Sequence, residues 1–164
     1  MAIVIKSRMS GDCKAIIINL EGPEANTQAH KVRVTHVPTG TTYKAYISFQ
    51  DESYALNNMT LGGLYLIEVL SEGGEIKAFQ YLVSTCAVDK CLVLLTDKLL
   101  SCGCTSPACS AILNKAQKVM LLIKSAEATA ARIMREEDKV LVGDADSQYR
   151  KAVEMCEGNC DCGC

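Results

Sequence analysis

The sequence predicts an α+β fold, with an antiparallel β-sandwich over residues 1–86 followed by a helical hairpin or three-helix extension over residues 87–164. Three observations predict it. The first half repeats short β-branched or alternating runs between turn residues. The second half spaces its apolar residues by three and four over long stretches. A chain of 164 residues, 49% hydrophobic and 22% charged, suits one or two small packed domains and not a disordered tail.

Lys14–Leu20 is a short β-branched run, and Lys31–Thr35 and Thr42–Phe49 alternate polar with apolar, as half-buried strands do. Val37-Pro38-Thr39-Gly40 lies between the last two. Proline second and glycine fourth suit a type I turn, so this pair predicts a hairpin. Leu64–Leu70 and Ile76–Val83 flank Ser71-Glu72-Gly73-Gly74 and predict another. That spacing suits about six or seven strands. Leu61-Gly62-Gly63-Leu64-Tyr65 puts a tyrosine at the entry of a late strand, a placement found in immunoglobulin-like sandwiches, so the sandwich is expected to be of that kind.

Asp89 is expected to cap a helix running to about Ser101, with Leu92, Leu95 and Leu99 on one face, Cys91 and Leu94 flanking it, and Gly103 in the C-terminal cap. Ser106-Pro107 marks a second start, serine at the N-cap and proline at the first helical position. From there Ile112, Ala116, Val119, Ile123, Ala126, Ala130 and Ile133 predict one long helix ending near Glu136 or Asp138. Gly143-Asp144 is expected to break the pattern. Asp146 or Ser147 would then cap a short last helix through Met155, with Tyr149, Ala152 and Val153 inward. Ala126–Ala131 permits close helix approach, first of all within the chain. Glu136–Asp138, Arg132, Arg135, Arg150 and Lys151 read as solvated surface.

Composition narrows the chemistry. Seventeen basic against nineteen acidic residues leave a net charge of −2, little to neutralise phosphates, so no direct nucleic-acid partner is expected. Ala2–Ile5 is too short for a secretory leader before Lys6, and no apolar run approaches a membrane span, so synthesis in the cytosol without a membrane partner is expected. There is no G-x-G-x-x-G, P-loop or H-E-x-x-H. Only His30 and His36 are present to assist a nucleophile, both in the β half. The expectation is therefore that the chain is not an enzyme, with a thiol-based redox enzyme the remotest rival.

Ten cysteines are the unusual figure. Cys13, Cys86 and Cys91 read as small apolar core residues. Antiparallel helices joined by short connections would bring Cys102, Cys104, Cys109, Cys156, Cys160, Cys162 and Cys164 toward one pole. Three readings of this cluster stay open: a thiolate metal site with zinc as the candidate cofactor, disulfides, or free thiols. Cys109 falls in the first turn of a helix, where the macrodipole favours a thiolate, although packing on a neighbouring loop is the simpler role.

The run Cys91–Cys104 (CLVLLTDKLLSCGC), followed by Leu121–Ala128 (LLIKSAEA), resembles the small virion structural proteins of tailed bacteriophages, crAss-like phages in particular. The resemblance covers roughly residues 60–164. It implies a sandwich with a cysteine-bearing helical extension and no catalytic residues. It also implies homo-oligomeric rings at the portal, neck or tail, as a head–tail connector or tail component. Partners would be copies of itself and other virion proteins. Localisation would be the virion, assembled in the host cytoplasm. The alternative expectation is a cytosolic thiolate metal-binding module.

Overall fold

The computed structural model describes residues 3–23, 29–47, 53–101 and 107–157. Among them run seven strands and then three helices: β1 (Val4–Met9), β2 (Ala15–Glu21), β3 (His30–His36), β4 (Thr41–Ile47), β5 (Tyr54–Asn57), β6 (Gly63–Leu70), β7 (Ile76–Ser84), α1 (Cys86–Ser101), α2 (Pro107–Glu136) and α3 (Val140–Glu157). The strands form two antiparallel sheets, ordered β1-β2-β5 and β4-β3-β6-β7. The expected hairpins, β3–β4 around Val37–Gly40 and β6–β7 around Ser71–Gly74, are both present. Ser48 and Phe49, expected in β4, lie outside the described residues, as do Gly103 and the Ser106 cap.

Alternation explains why these runs are strands. In β3, His30, Val32, Val34 and His36 are buried, while Lys31, Arg33 and Thr35 between them are only partly covered. Ile3, Ile5, Ile16 and Ile18 of the smaller sheet share one core with Val32, Val34, Tyr65, Ile67 and Val69 of the larger. Each such aliphatic side chain stabilises the fold by about 1.5–3 kcal/mol relative to exposure. Two of the seven strands were not located by the sequence patterns. β1 pairs with β2 from Val4↔Glu21 to Met9↔Ile16, although Lys6–Arg8 blur its pattern. β5 is a four-residue edge strand, too short to show a period.

The connection into β6 is tightly specified. Tyr65 is buried, and its hydroxyl donates to the Leu61 carbonyl at 2.6 Å. Burial pushes its pKa up to about 12. The His36 ring is tilted against it at 4.9 Å, and His36 Nε2 donates to the Gly62 carbonyl at 2.8 Å. Gly63 has φ +110°, and a Cβ there would lie 3.4 Å from the Pro38 ring and 3.5 Å from Tyr149 of α3. The glycine thus admits both the turn and the close approach of the helix.

The helices cover the outer face of the larger sheet. Leu64, Tyr81 and Val83 meet Ala130 and Ile133 of α2 and Leu141 and Ala145 of α3. Val88, Val119, Ala126, Tyr149 and Ala152 join the three helices to one another. The expected α2 stripe is the buried one, and the alanines at 126 and 130 are spent on packing within the chain. Two starts differ from expectation. α1 begins at Cys86 because Thr85 is the cap. Its carbonyl accepts from the Val88 and Asp89 amides at 2.9 and 2.8 Å, and its hydroxyl donates to Asp89 at 2.9 Å. α3 begins at Val140, and Gly143-Asp144 lie inside it. Asp138, expected only as solvated charge, caps it by accepting from the Val140 amide at 3.0 Å. Burial of Leu141 and Ala145 outweighs the roughly 1 kcal/mol cost of a mid-helix glycine. At 18 residues α3 is about 27 Å long, against about 45 Å for the 30-residue α2, so it returns much further than a helix starting at Asp146 would.

Two glycines should respond oppositely to alanine. Gly63→Ala forces a side chain into a positive-φ position against Pro38 and should cost about 1–3 kcal/mol. Gly143→Ala, in open helical space, should stabilise by about 0.5–1 kcal/mol. Urea unfolding midpoints read both signs. Tyr65 gives a pH signature. The folded protein keeps its phenol protonated where the unfolded chain has lost the proton, so stability should fall as pH rises between 10.0 and about 12. Tyr65→Phe should lack that component and lose about 1 kcal/mol at neutral pH; an unchanged alkaline slope would contradict this.

Candidate functional site

The residues of α1 give it little to bury. Val88 and Leu95 are 1% and 6% exposed and Leu92 is half-buried, but Val93, Leu94 and Leu100 are 60%, 65% and 75% exposed. Leu94, expected beside the inward face, points to solvent instead, because the sheet, α2 and α3 cover α1 from one side only.

Covalent bonds supply what packing does not. Cys86, the first residue of α1, is bridged to Cys13, with Cα atoms 5.8 Å apart. Cys13 sits in the β1–β2 turn at φ +59°. That turn is built around Ser10, whose hydroxyl donates to Asp12 at 2.6 Å and accepts from the Lys14 and Ala15 amides at 3.2 and 3.0 Å. The Ser10 hydroxyl, and then the Lys14 amide, hold the Asp12 carboxyl below the ordinary carboxylate range. Five residues along α1, Cys91 is bridged to Cys156 in the last turn of α3, Cα atoms 5.9 Å apart. The bridges span 73 and 65 residues. On the chain-entropy account each is worth up to about 4 kcal/mol.

This corrects two expectations. Cys13, Cys86 and Cys91 are crosslinks and not merely small apolar residues, although Cys86 is also buried. Cys156, expected to join the tail and loop cysteines, pairs with Cys91, because the longer α3 carries it back to α1. Cys102, Cys104, Cys160, Cys162, Cys164 and the side chain of Cys109 lie outside the described residues. Among the described residues no three His, Cys, Asp or Glu side chains converge as metal ligands. A bridged Cys156 offers no thiolate, so the zinc expectation rests on the other six cysteines alone.

Several buried polar groups elsewhere are engaged by neighbours within the chain. Glu68, 4% exposed, accepts from Arg33 Nε and Nη2 at 3.0 and 2.9 Å across β3 and β6. Asp146 accepts from Arg150, one turn along α3. Thr129 of α2 donates to Gln148 of α3 at 2.9 Å. His30 and His36 are the two end residues of β3, and both ring nitrogens of His36 are taken, by Thr39 and by Gly62.

Among the described residues, two surfaces present large apolar side chains for recognition. A groove of about 390 Å³ lies where α2 runs off the sheet, lined by Leu66, Ile76, Phe79, Tyr81, Ile133 and Glu137. Phe79 and Tyr81 meet edge to face at 6.2 Å, and burial, then the Glu68 charge, push the Tyr81 phenol up. The sequence did not show this groove, since it needs β7 and the end of α2 side by side. The second surface is on α1 and α2. Six of the eleven large apolar side chains exposed among the described residues are there: Val93, Leu94, Leu100, Leu113, Met120 and Leu121. Val93 and Leu100 are seven apart, as are Leu113 and Met120, so each pair shares one helix face. The groove also carries Glu68 and Lys139 beside its apolar lining, whereas the α1 and α2 surface offers apolar contact.

No protein-family model matches the chain, and no curated protein is significantly similar to it.

Proposed function

We propose that this chain is a non-enzymatic structural protein that assembles with copies of itself, serving a tailed-phage virion as a ring component at the portal, neck or tail. The concentration of exposed apolar side chains on α1 and α2 carries the assembly reading. Singly exposed apolar residues are ordinary, but paired ones along two neighbouring helices leave surface that a protein neighbour would cover. A heterologous contact repeated around an axis closes into a ring. The outer strands β4 and β5 add sheet edges of the kind that accept a neighbouring strand.

The immunoglobulin-like assignment has two supports. The orders β1-β2-β5 and β4-β3-β6-β7 correspond to A-B-E and C′-C-F-G of such sandwiches. The Tyr65 hydroxyl reaching the carbonyl four residues upstream has the form of their tyrosine corner. The virion setting rests on the resemblance of residues 60–164. Other virion proteins are the further partners, and the apolar groove beside Phe79 is a second place for them to dock.

Sedimentation velocity on the oxidised protein should show a closed oligomer. Leu113→Glu with Met120→Glu should shift it to smaller species while far-UV circular dichroism stays unchanged. A strict monomer at all concentrations, or stoichiometric zinc in protein purified without added metal, would overturn the reading.

A further inference from the structure

We infer that the Cys91–Cys156 bridge is a redox latch for assembly. Closed, it holds α1 in the position from which a second copy is engaged; opened, it lets α1 swing about its Cys86 anchor. This rests on the assembly reading above.

Among the described residues both bridges act on one helix. Their partners lie on different bodies, the β1–β2 turn of the sandwich and the last turn of α3. Two attachment points five residues apart stop a helix from turning or sliding, whereas one leaves it a pivot. Without the second, the described side chains that retain α1 beyond Cys91 are Leu95, against Ile112, and half-buried Leu92. The same stretch carries Val93, Leu94 and Leu100, half of the exposed apolar side chains assigned to assembly. Releasing it removes them from their fixed place beside α2.

The two bridges differ in access. Cys86 is buried at 5% exposure, and Cys13 is partly covered and tied into the Ser10–Asp12 turn. Cys91 and Cys156 are both only partly covered. An attacking thiolate therefore meets no buried end in Cys91–Cys156, whereas the Cys86 end of the other bridge is closed to it. The chemistry is thiol–disulfide exchange with a low-molecular-weight thiol–disulfide couple. In closing, the thiolate of one cysteine attacks the small disulfide and expels one small thiol. The second cysteine thiolate then attacks the mixed disulfide and expels another. The protein pair loses two electrons and two protons, and the small disulfide is reduced to two thiols. Opening is the reverse.

The test takes the oxidised full-length chain through graded ratios of reduced to oxidised glutathione. At each ratio free thiols are trapped, α1 amide exchange is measured and sedimentation is recorded. Cys91–Cys156 should open at a less reducing ratio than Cys13–Cys86. As it opens, α1 amides beyond Cys91 should exchange roughly a hundredfold faster while β6 amides are unchanged, and the oligomer should dissociate. Cys91→Ser with Cys156→Ser should reproduce the opened state under oxidising conditions, and the titration of the unaltered chain decides the matter if that variant does not fold. Unchanged α1 exchange, simultaneous opening of both bridges, or an oligomer equally stable after opening would overturn the latch. An oxidised protein that never self-associates would instead remove the assembly reading and the latch's role in it, with α1 exchange still reporting whether the helix is released.

Discussion

The tethering of α1 at Cys86 and Cys91 is the constraint on which the placement of that helix depends. A helix whose described side chains include three buried ones, Cys86, Val88 and Leu95, and three large exposed ones has little packing energy to set against the entropy of ordering it. Crosslinks act on the other side of that balance by restricting the unfolded chain. They also relieve α1 of the need for an apolar face wholly turned inward, so its outer face is free to carry Val93, Leu94 and Leu100 exposed. In a helix held by packing alone, Val93, Leu94 and Leu100 would compete with the buried face for the core.

The tether is only as firm as the bodies it joins. Cys13 is presented by a short turn whose amides and carboxylate converge on one serine, and that turn closes β1 onto β2 beside the shared isoleucine core. Cys156 is presented by a helix seated on the sheet through Leu141, Ala145 and Tyr149, the last made possible by the missing side chain at Gly63. The sandwich, its outer helical layer and α1 therefore form a sequence of supports, each rigid because of the one before. The last of these, α1, carries three of the eleven large apolar side chains exposed among the described residues.

Local signals in the sequence were good guides to the elements themselves. Alternation located β3 and β4, a β-branched run located β2, and the turns at Pro38–Gly40 and Ser71–Gly74 located the two hairpins. The three-and-four spacing from Ile112 to Ile133 located α2 and its buried face. What a local pattern did not reveal was anything decided by residues far apart. β1 and β5 owe their existence to pairing with β2. Asp138 acts as a cap only because Leu141 and Ala145 find a sheet to cover, which outweighs the glycine at 143. The cysteine pairings span 65 and 73 residues, beyond any spacing rule, so core-like Cys91 and tail-like Cys156 were assigned to different groups. The exposure of Leu94 and the groove beside Phe79 likewise follow from which faces the layers leave uncovered.

Assembly through a covalently braced helix is the account that joins these observations, and its foundation is the pairing itself. The most direct measurement is mass spectrometry of a non-reduced digest after free thiols have been alkylated in the native protein. The account predicts two crosslinked peptides, Cys13 with Cys86 and Cys91 with Cys156. Recovery of Cys91 and Cys156 as alkylated thiols, or of Cys156 joined to Cys102 or Cys104, would contradict it.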